Sequence, residues 1–175
     1  IKGITENIDY LTELGVNAIY INPIFAAGEY HKYDLVDYYH IDPCFGTDEE
    51  FGELVQHCHE KGIRVIIDGV FNHCGWHFMA FNDVVEKGEK STYKDWFYRL
   101  EYPVVRPEDP ETYPGYECFG YERMMPKLAL DRDETADYFC QVGKHWIEKY
   151  DIDGWRLDVA SEINDGFWRK FRNAV

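Results

Sequence analysis

One phrase, used three times, limits what this chain can fold into: an amphipathic helix, a stop signal, then a β-branched strand. In the first copy Ile4, Ile8, Leu11 and Leu14 recur at helical spacing across Thr5 to Leu14. Gly15 supplies the stop, and the strand Val16 to Ile21 runs up to Pro23. The second opens at Thr47, where Thr47 and Glu50 have the spacing of a capping box. Phe51, Leu54, Val55 and Cys58 form its apolar stripe, Gly62 closes it, and Ile63 to Asp68 is the strand. The third runs from Thr135 to Tyr150, with Phe139, Val142, Trp146 and Tyr150 inward, and leads to a strand from Gly154 to Val159. A last helix from Asp165 to the end buries Phe167 and Phe171. Helices alternating with strands imply right-handed crossovers and a parallel sheet, its strands covered on both faces.

From Cys74 to about Leu130 this rhythm stops, and Trp, Tyr, Pro, Gly and charged residues take over. A stretch of that length between regular elements is a small subdomain or a functional insertion rather than a structureless loop. It follows a strand C-terminus, where the active-site loops of barrels grow. Four helices and three strands are too few to close a barrel. The expected fold is therefore α/β, a partial (β/α)₈ (TIM) barrel spanning about its second to fourth strands, with a small inserted domain after the third. Its expected parts are 1–73, the insert 74–130, and a barrel continuation 131–175.

Two of the strands end in acids. Asp68 closes one and continues into Gly69-Val70-Phe71-Asn72-His73; Gly154-Trp155-Arg156-Leu157-Asp158 closes the other. Side chains two apart on a strand share a face, so Arg156 lies beside Asp158. A guanidinium so placed keeps a carboxylate ionised, as a nucleophile or electrostatic stabiliser must be. Alone, Arg-x-Asp on a strand is an ordinary ion pair, and Asn72-His73 a turn with an incidental His. Two acids delivered at the C-terminal ends of parallel strands change that balance.

The formal net charge of −15 argues against nucleic acid or an anionic membrane as partner, and favours a neutral ligand. Aromatic residues reach 17%, and the Tyr and Trp in loop-like segments suit stacking against flat hydroxylated ligands. Cys44, Cys58, Cys74, Cys118 and Cys140 are odd in number and never in C-x-x-C spacing, so free thiols in a reducing compartment are expected. The expected location is the cytoplasm. The chain opens without Met, in a helical pattern, so its true N-terminus is expected upstream. His57-x-His59 falls on a helix, where such residues point apart, and no His spacing favours zinc.

These residues carry a resemblance. Asp68-Gly69-Val70-Phe71-Asn72-His73 resembles the first motif of the α-amylase family of glycoside hydrolases, and Gly154 to Ala160 its nucleophile motif. Met125-Pro126-Lys127-Leu128 is similar to a short motif of the neopullulanase, cyclomaltodextrinase and maltogenic amylase branch, as is the phrase from His31-Lys32-Tyr33-Asp34 to Phe45-Gly46-Thr47. The resemblance covers essentially the whole chain and implies a retaining hydrolase of α-1,4-glucans: maltooligosaccharides, cyclodextrins, pullulan or starch. It implies Asp158 as nucleophile, oriented by Arg156. Asp68 and His73 would line the subsite of the reacting glucose, with Asn72 bracing that loop. Tyr33 would stack on the sugar and stabilise the cationic transition state. No cofactor is implied. Calcium stays open as a ligand, because Asn72 matches a position that holds it in some members, with Asp109 or Asp131 as further oxygen donors. A homodimer is implied for the full-length protein.

Two departures accompany the resemblance. The family's general acid is a Glu on the strand after that of Asp158, followed by a further Asp, and both are expected beyond Val175. Glu162 lies on the loop leaving the strand and does not take that role. These 175 residues alone are thus expected to be inactive. Ala129 stands where the branch often has Asn. A carbohydrate-binding or structural homologue without catalysis, or a transglycosylase, is the alternative reading.

Overall fold

The computed structural model describes residues 1–109 and 111–175; of the expected insert, Pro110 lies outside the described residues. Three parallel strands, β1 (Ala18–Ile21), β2 (Arg64–Gly69) and β3 (Gly154–Leu157), form one sheet in the order β1-β2-β3. Each successive strand joins the edge left by the last, which parallel pairing through helical crossovers produces. The helices are α1 (Lys2–Thr5), α2 (Ile8–Glu13), α3 (Asp48–Glu60), α4 (Met79–Lys87), α5 (Asp133–Tyr150) and α6 (Asp165–Ala174).

The capping box and the glycine stop predicted for α3 both form. Thr47 Oγ1 accepts from the Glu50 N–H at 3.2 Å while Glu50 Oε2 accepts from the Thr47 N–H at 3.0 Å, closing the capping box of α3. Gly62 follows α3 at φ +72°, a conformation that any Cβ would strain. Asn164 caps α6 through the Phe167 N–H at 2.8 Å. Of the helix expected over Thr5 to Leu14, Ile8–Glu13 forms as α2, and a separate short helix, α1, precedes it across a break at Glu6-Asn7. There the Asn7 amide reaches back to the Gly3 carbonyl at 2.7 Å, a local bond that competes with continued helix.

The expectation of strands buried on both faces holds only for one side. Val65 and Ile67 are fully buried beneath α3 and its neighbours. The register aligns Tyr20, Ile66 and Gly154 on the opposite face, and Asp68 with Arg156. On that face Ala18 and Arg156 are exposed and Tyr20 retains 46% of its accessible surface. Helices cover one face of the sheet; the other is open except where side chains from the loops fold over its C-terminal end.

Aromatic rings run through the core. Trp146 of α5 stacks on Phe25 and Tyr150, with ring centroids 4.6 and 4.8 Å away, and meets Phe51 of α3 edge-on. The segment after Cys74 carries α4 and two short 3-10 turns. A single bridge at His73–Lys127 ties it back to the loop after β2, and bridges at Phe97–Leu128 and Cys118–Pro126 hold the segment to itself. All five cysteines are free. Among the described residues no helix is long and apolar enough to cross a membrane.

Candidate active site

The C-terminal ends of β2 and β3 bring the two predicted acids onto one cation. A single nitrogen, Arg156 Nη1, lies 2.6 Å from Asp158 Oδ1 and 3.1 and 3.0 Å from the two oxygens of Asp68. The Asp158 N–H donates to the Gly69 carbonyl at 3.1 Å, so strand pairing persists one residue past β3 and fixes the root of the Asp158 side chain. Val159 then turns the chain away at φ +44°. Gly69 is required by packing: a Cβ there would come within 2.9 Å of the Phe71 ring and 3.1 Å of Trp155.

Asp68 is buried, and burial raises its pKa above the ordinary carboxylate value. The hydroxyl of Tyr20 and the Arg156 guanidinium pull the other way. Tyr20 is the partner that sequence reading missed. Burial and the Asp68 carboxylate both raise its pKa, so its phenol stays protonated and donates. Its position was nonetheless readable: Tyr20 stands near the C-terminal end of β1, on the same sheet face as Asp68 and Arg156.

Tyr33 arrives on a loop pinned by its own charges. Lys32 sits at φ +63° and pairs with Asp42 at 2.8 Å. Burial opposes the charge on Asp42, but Lys32 and the N–H groups of Cys44 and Ala27 outweigh it and hold that carboxyl at about 2. Asp34, also buried, accepts from the Glu29 N–H at 3.0 Å. Gly75 lets the loop after β2 pass beneath, since a Cβ there would lie 2.3 Å from the Asp34 carbonyl oxygen. The Tyr33 hydroxyl ends 3.4 Å from Asp68 Oδ2.

His73 is buried, with its ring stacked on Phe119 at a centroid separation of 4.8 Å and an interplanar angle of 20°. The hydroxyl of Tyr38 donates to its carbonyl at 3.0 Å. Its Nε2 has no hydrogen-bond partner. Burial drives its pKa down from 6.5 to about 4, against the Tyr33 backbone, which favours the charged ring. Unfolded His73 is protonated below pH 6.5 while the folded ring stays neutral to about pH 4, so stability falls as pH drops through that window. The shift corresponds to about 3 kcal/mol. Urea midpoints of the wild type and His73→Gln should therefore converge between pH 7 and pH 4; parallel profiles would contradict a buried neutral ring.

Together these elements line a cleft of about 190 Å³ walled by His31, Tyr33, His73, Phe119, Met125 and Asp158. Of the predicted residues, Asp158, Tyr33 and His73 meet at this cleft, and Arg156 and Asp68 lie behind Asp158. Asn72 does not reach it. It is fully buried on the far side of His73, its Nδ2 3.3 Å from His73 Nδ1 and 3.3 Å from Glu162 Oε2, which is the bracing position rather than a ligand-contacting one. Phe119 carried no sequence signal, and Met125 only its place in the Met125 to Leu128 motif, because only the tertiary path of the 74–130 segment brings them over His73.

The surroundings of Asn72 do not fit calcium. Asn72, Glu117 and Glu162 line a second cavity, of about 230 Å³, but Lys127 shares it, with its Nζ 3.6 Å from Glu162 and 3.9 Å from Glu117. An ammonium there repels a divalent ion and takes up the carboxylate charge such an ion needs. Asp109 and Asp131 do not line this cavity. Among the described residues no group of three His, Cys, Asp or Glu side chains is placed to hold a metal.

Residues 1–173 match the family model described as "Alpha amylase, catalytic domain". The chain is 49% identical over its whole length to a maltogenic α-amylase of Bacillus acidopullulyticus, of which it covers 29%. It is 51% identical over its whole length to a cyclomaltodextrinase of Thermoanaerobacter pseudethanolicus, covering 30%. A solved cyclomaltodextrinase structure superposes on 98% of the chain with a TM-score of 0.92 at 45% identity, the chain covering 29% of it. The chain thus spans about 30% of the length of the curated relatives it matches. The parallel sheet, the paired acids at its C-terminal end and this match agree, and the chain belongs to the α-amylase catalytic-domain family.

Proposed function

We propose that this chain carries the nucleophile half of a retaining α-glucan hydrolase, acting on α-1,4 links of maltooligosaccharides, cyclodextrins, pullulan or starch. The observation that supports it most is the bridge from Asp158 through Arg156 to the buried Asp68, beside a cleft with an aromatic wall. Asp158 attacks the anomeric carbon through a carboxylate oxygen while the glycosidic C–O bond breaks and its oxygen takes a proton; water then releases the sugar from the ester. Arg156 orients Asp158. His73, on the cleft wall, meets the reacting sugar, Asp68 holds Arg156 from behind rather than touching the sugar, and Tyr33 offers its π face to the positive charge that develops on the ring. Asn72 acts from behind His73.

The retaining mechanism needs a proton-donating carboxyl about 5–5.5 Å from the nucleophile. Asp68 is committed to Arg156 and Tyr20, and Glu162 faces Lys127 and Asn72. The donor in this proposal therefore comes from outside these 175 residues, which alone would not turn over substrate. In the same reading, 1–73 and 131–175 belong to a (β/α)₈ barrel, and 74–130 is its insert, supplying Phe119 and Met125 to the sugar site.

A fluorinated glycosyl fluoride, which slows hydrolysis of the covalent intermediate, tests the assignment in the full-length protein. Peptide mapping should find the sugar esterified to Asp158. A label on any other residue would refute the assignment, and turnover by residues 1–175 alone would refute the division of the two carboxyls.

A further inference from the structure

The cavity behind His73 joins three parts of the chain: Asn72 after β2, Glu117 of the 74–130 segment, and Glu162 on the 3-10 turn Ala160–Glu162 after β3. We propose that Lys127 is the fixed cation of this junction, doing through its ammonium what a bound divalent ion would otherwise do, and so positions His73 and the turn beyond Asp158 without metal.

The root of Lys127 is set by its backbone. Its N–H donates to the Glu117 carbonyl at 2.9 Å, and it bridges to His73 in antiparallel fashion. On either side, the Cys74 N–H donates to the Pro126 carbonyl and the Leu128 N–H to the Asn72 carbonyl, each at 3.0 Å. The side chain is four-fifths buried, while Glu117 and Glu162 keep 34% and 42% of their side-chain surface. It lies nearest Glu162 Oε2, the same oxygen that takes the Asn72 amide. Lys127, Glu162, Asn72 and His73 therefore form one chain of contacts leading to the cleft wall. This gives Met125-Pro126-Lys127-Leu128 a physical reason: Met125 faces the cleft, and two residues on, Lys127 faces the cavity.

The charge count makes the claim testable. Two carboxylates against one ammonium leave the cavity at −1. With Lys127 replaced by a neutral residue it would hold −2, together with Asn72 Oδ1, a fully buried oxygen that has no hydrogen-bond partner. Two carboxylates and an amide oxygen form a donor set suited to calcium. Removing the lysine should thus create a requirement for calcium at this cavity.

The experiment compares the full-length wild type with Lys127→Met and Lys127→Arg, each in millimolar calcium and in chelator. The wild type and the Arg variant should melt at the same temperature in both. The Met variant should melt lower in chelator and recover by about 4 °C or more in calcium. Terbium, excited through Tyr98 on the cavity wall, should luminesce with the Met variant alone, and calcium should quench that signal by competition. Neither readout depends on activity, so the proposal can fail while the hydrolase assignment stands. Where that assignment also holds, KM should rise in the Met variant more than kcat falls, and calcium should reverse it. Terbium emission from the wild type that Glu162→Gln abolishes would overturn the proposal. So would a folded Met variant indifferent to calcium, or one that calcium does not help to fold.

Discussion

Asp158→Asn in the full-length protein is expected to lower kcat by on the order of 10⁴-fold or more, the scale on which loss of a covalent nucleophile is felt. The substitution keeps shape and hydrogen-bonding capacity while removing the attacking carboxylate. The site should survive it structurally, because Arg156 keeps both contacts to Asp68, and the Asp158 N–H still closes the ladder to Gly69. The melting temperature should move little, and KM should change far less than kcat, since the sugar contacts proposed for His73 and Tyr33 are untouched. A fall in kcat of under tenfold would remove Asp158 from the nucleophile's role. A fall accompanied by a collapse in stability would instead assign the pair a structural one.

Trp146→Ala should produce the largest loss of stability from a single core change, about 4 kcal/mol. The indole is fully buried, stacked between Phe25 and Tyr150, and crossed edge-on by Phe51. Its Nε1 donates to the Tyr38 carbonyl at 2.8 Å. Truncation removes the apolar burial, leaves a cavity among rigid rings that cannot collapse into it, and strands a buried carbonyl. The Tyr38 side chain is bound at its other end to the His73 carbonyl, so the damage should spread to the cleft. Urea denaturation of Trp146→Ala and Trp146→Phe would check this: the Phe variant should lose clearly less, and an Ala variant within 1 kcal/mol of wild type would show that α5 does not anchor the sheet.

Helices α3, α5 and α6 were legible because each has an apolar stripe at helical spacing, and α3 has in addition start and stop residues whose chemistry is local: the Thr47–Glu50 box and Gly62. The failure at α1 and α2 was local too, in that the Asn7 amide competes for a backbone carbonyl within an otherwise good stripe. Burial was misjudged for β1 and β3 because strand hydrophobicity reports the helix-covered face of the sheet. Nothing in Ala18 or Tyr20 says what, if anything, covers the other.

The sequence by itself determined the parallel sheet, the delivery of Asp68 and Asp158 to one end of it, and the pairing of Arg156 with Asp158. All three follow from periodicity, which is a property of neighbours along the chain. Only the tertiary structure decided that one nitrogen of Arg156 serves both acids, that Tyr20 and Tyr33 converge on Asp68, and that Asn72 stands behind the cleft rather than in it. It also decided that Lys127 occupies the space where the resemblance left room for calcium. Those contacts join residues tens of positions apart, and their geometry depends on strand register and on loops packed across the sheet, which no local pattern encodes.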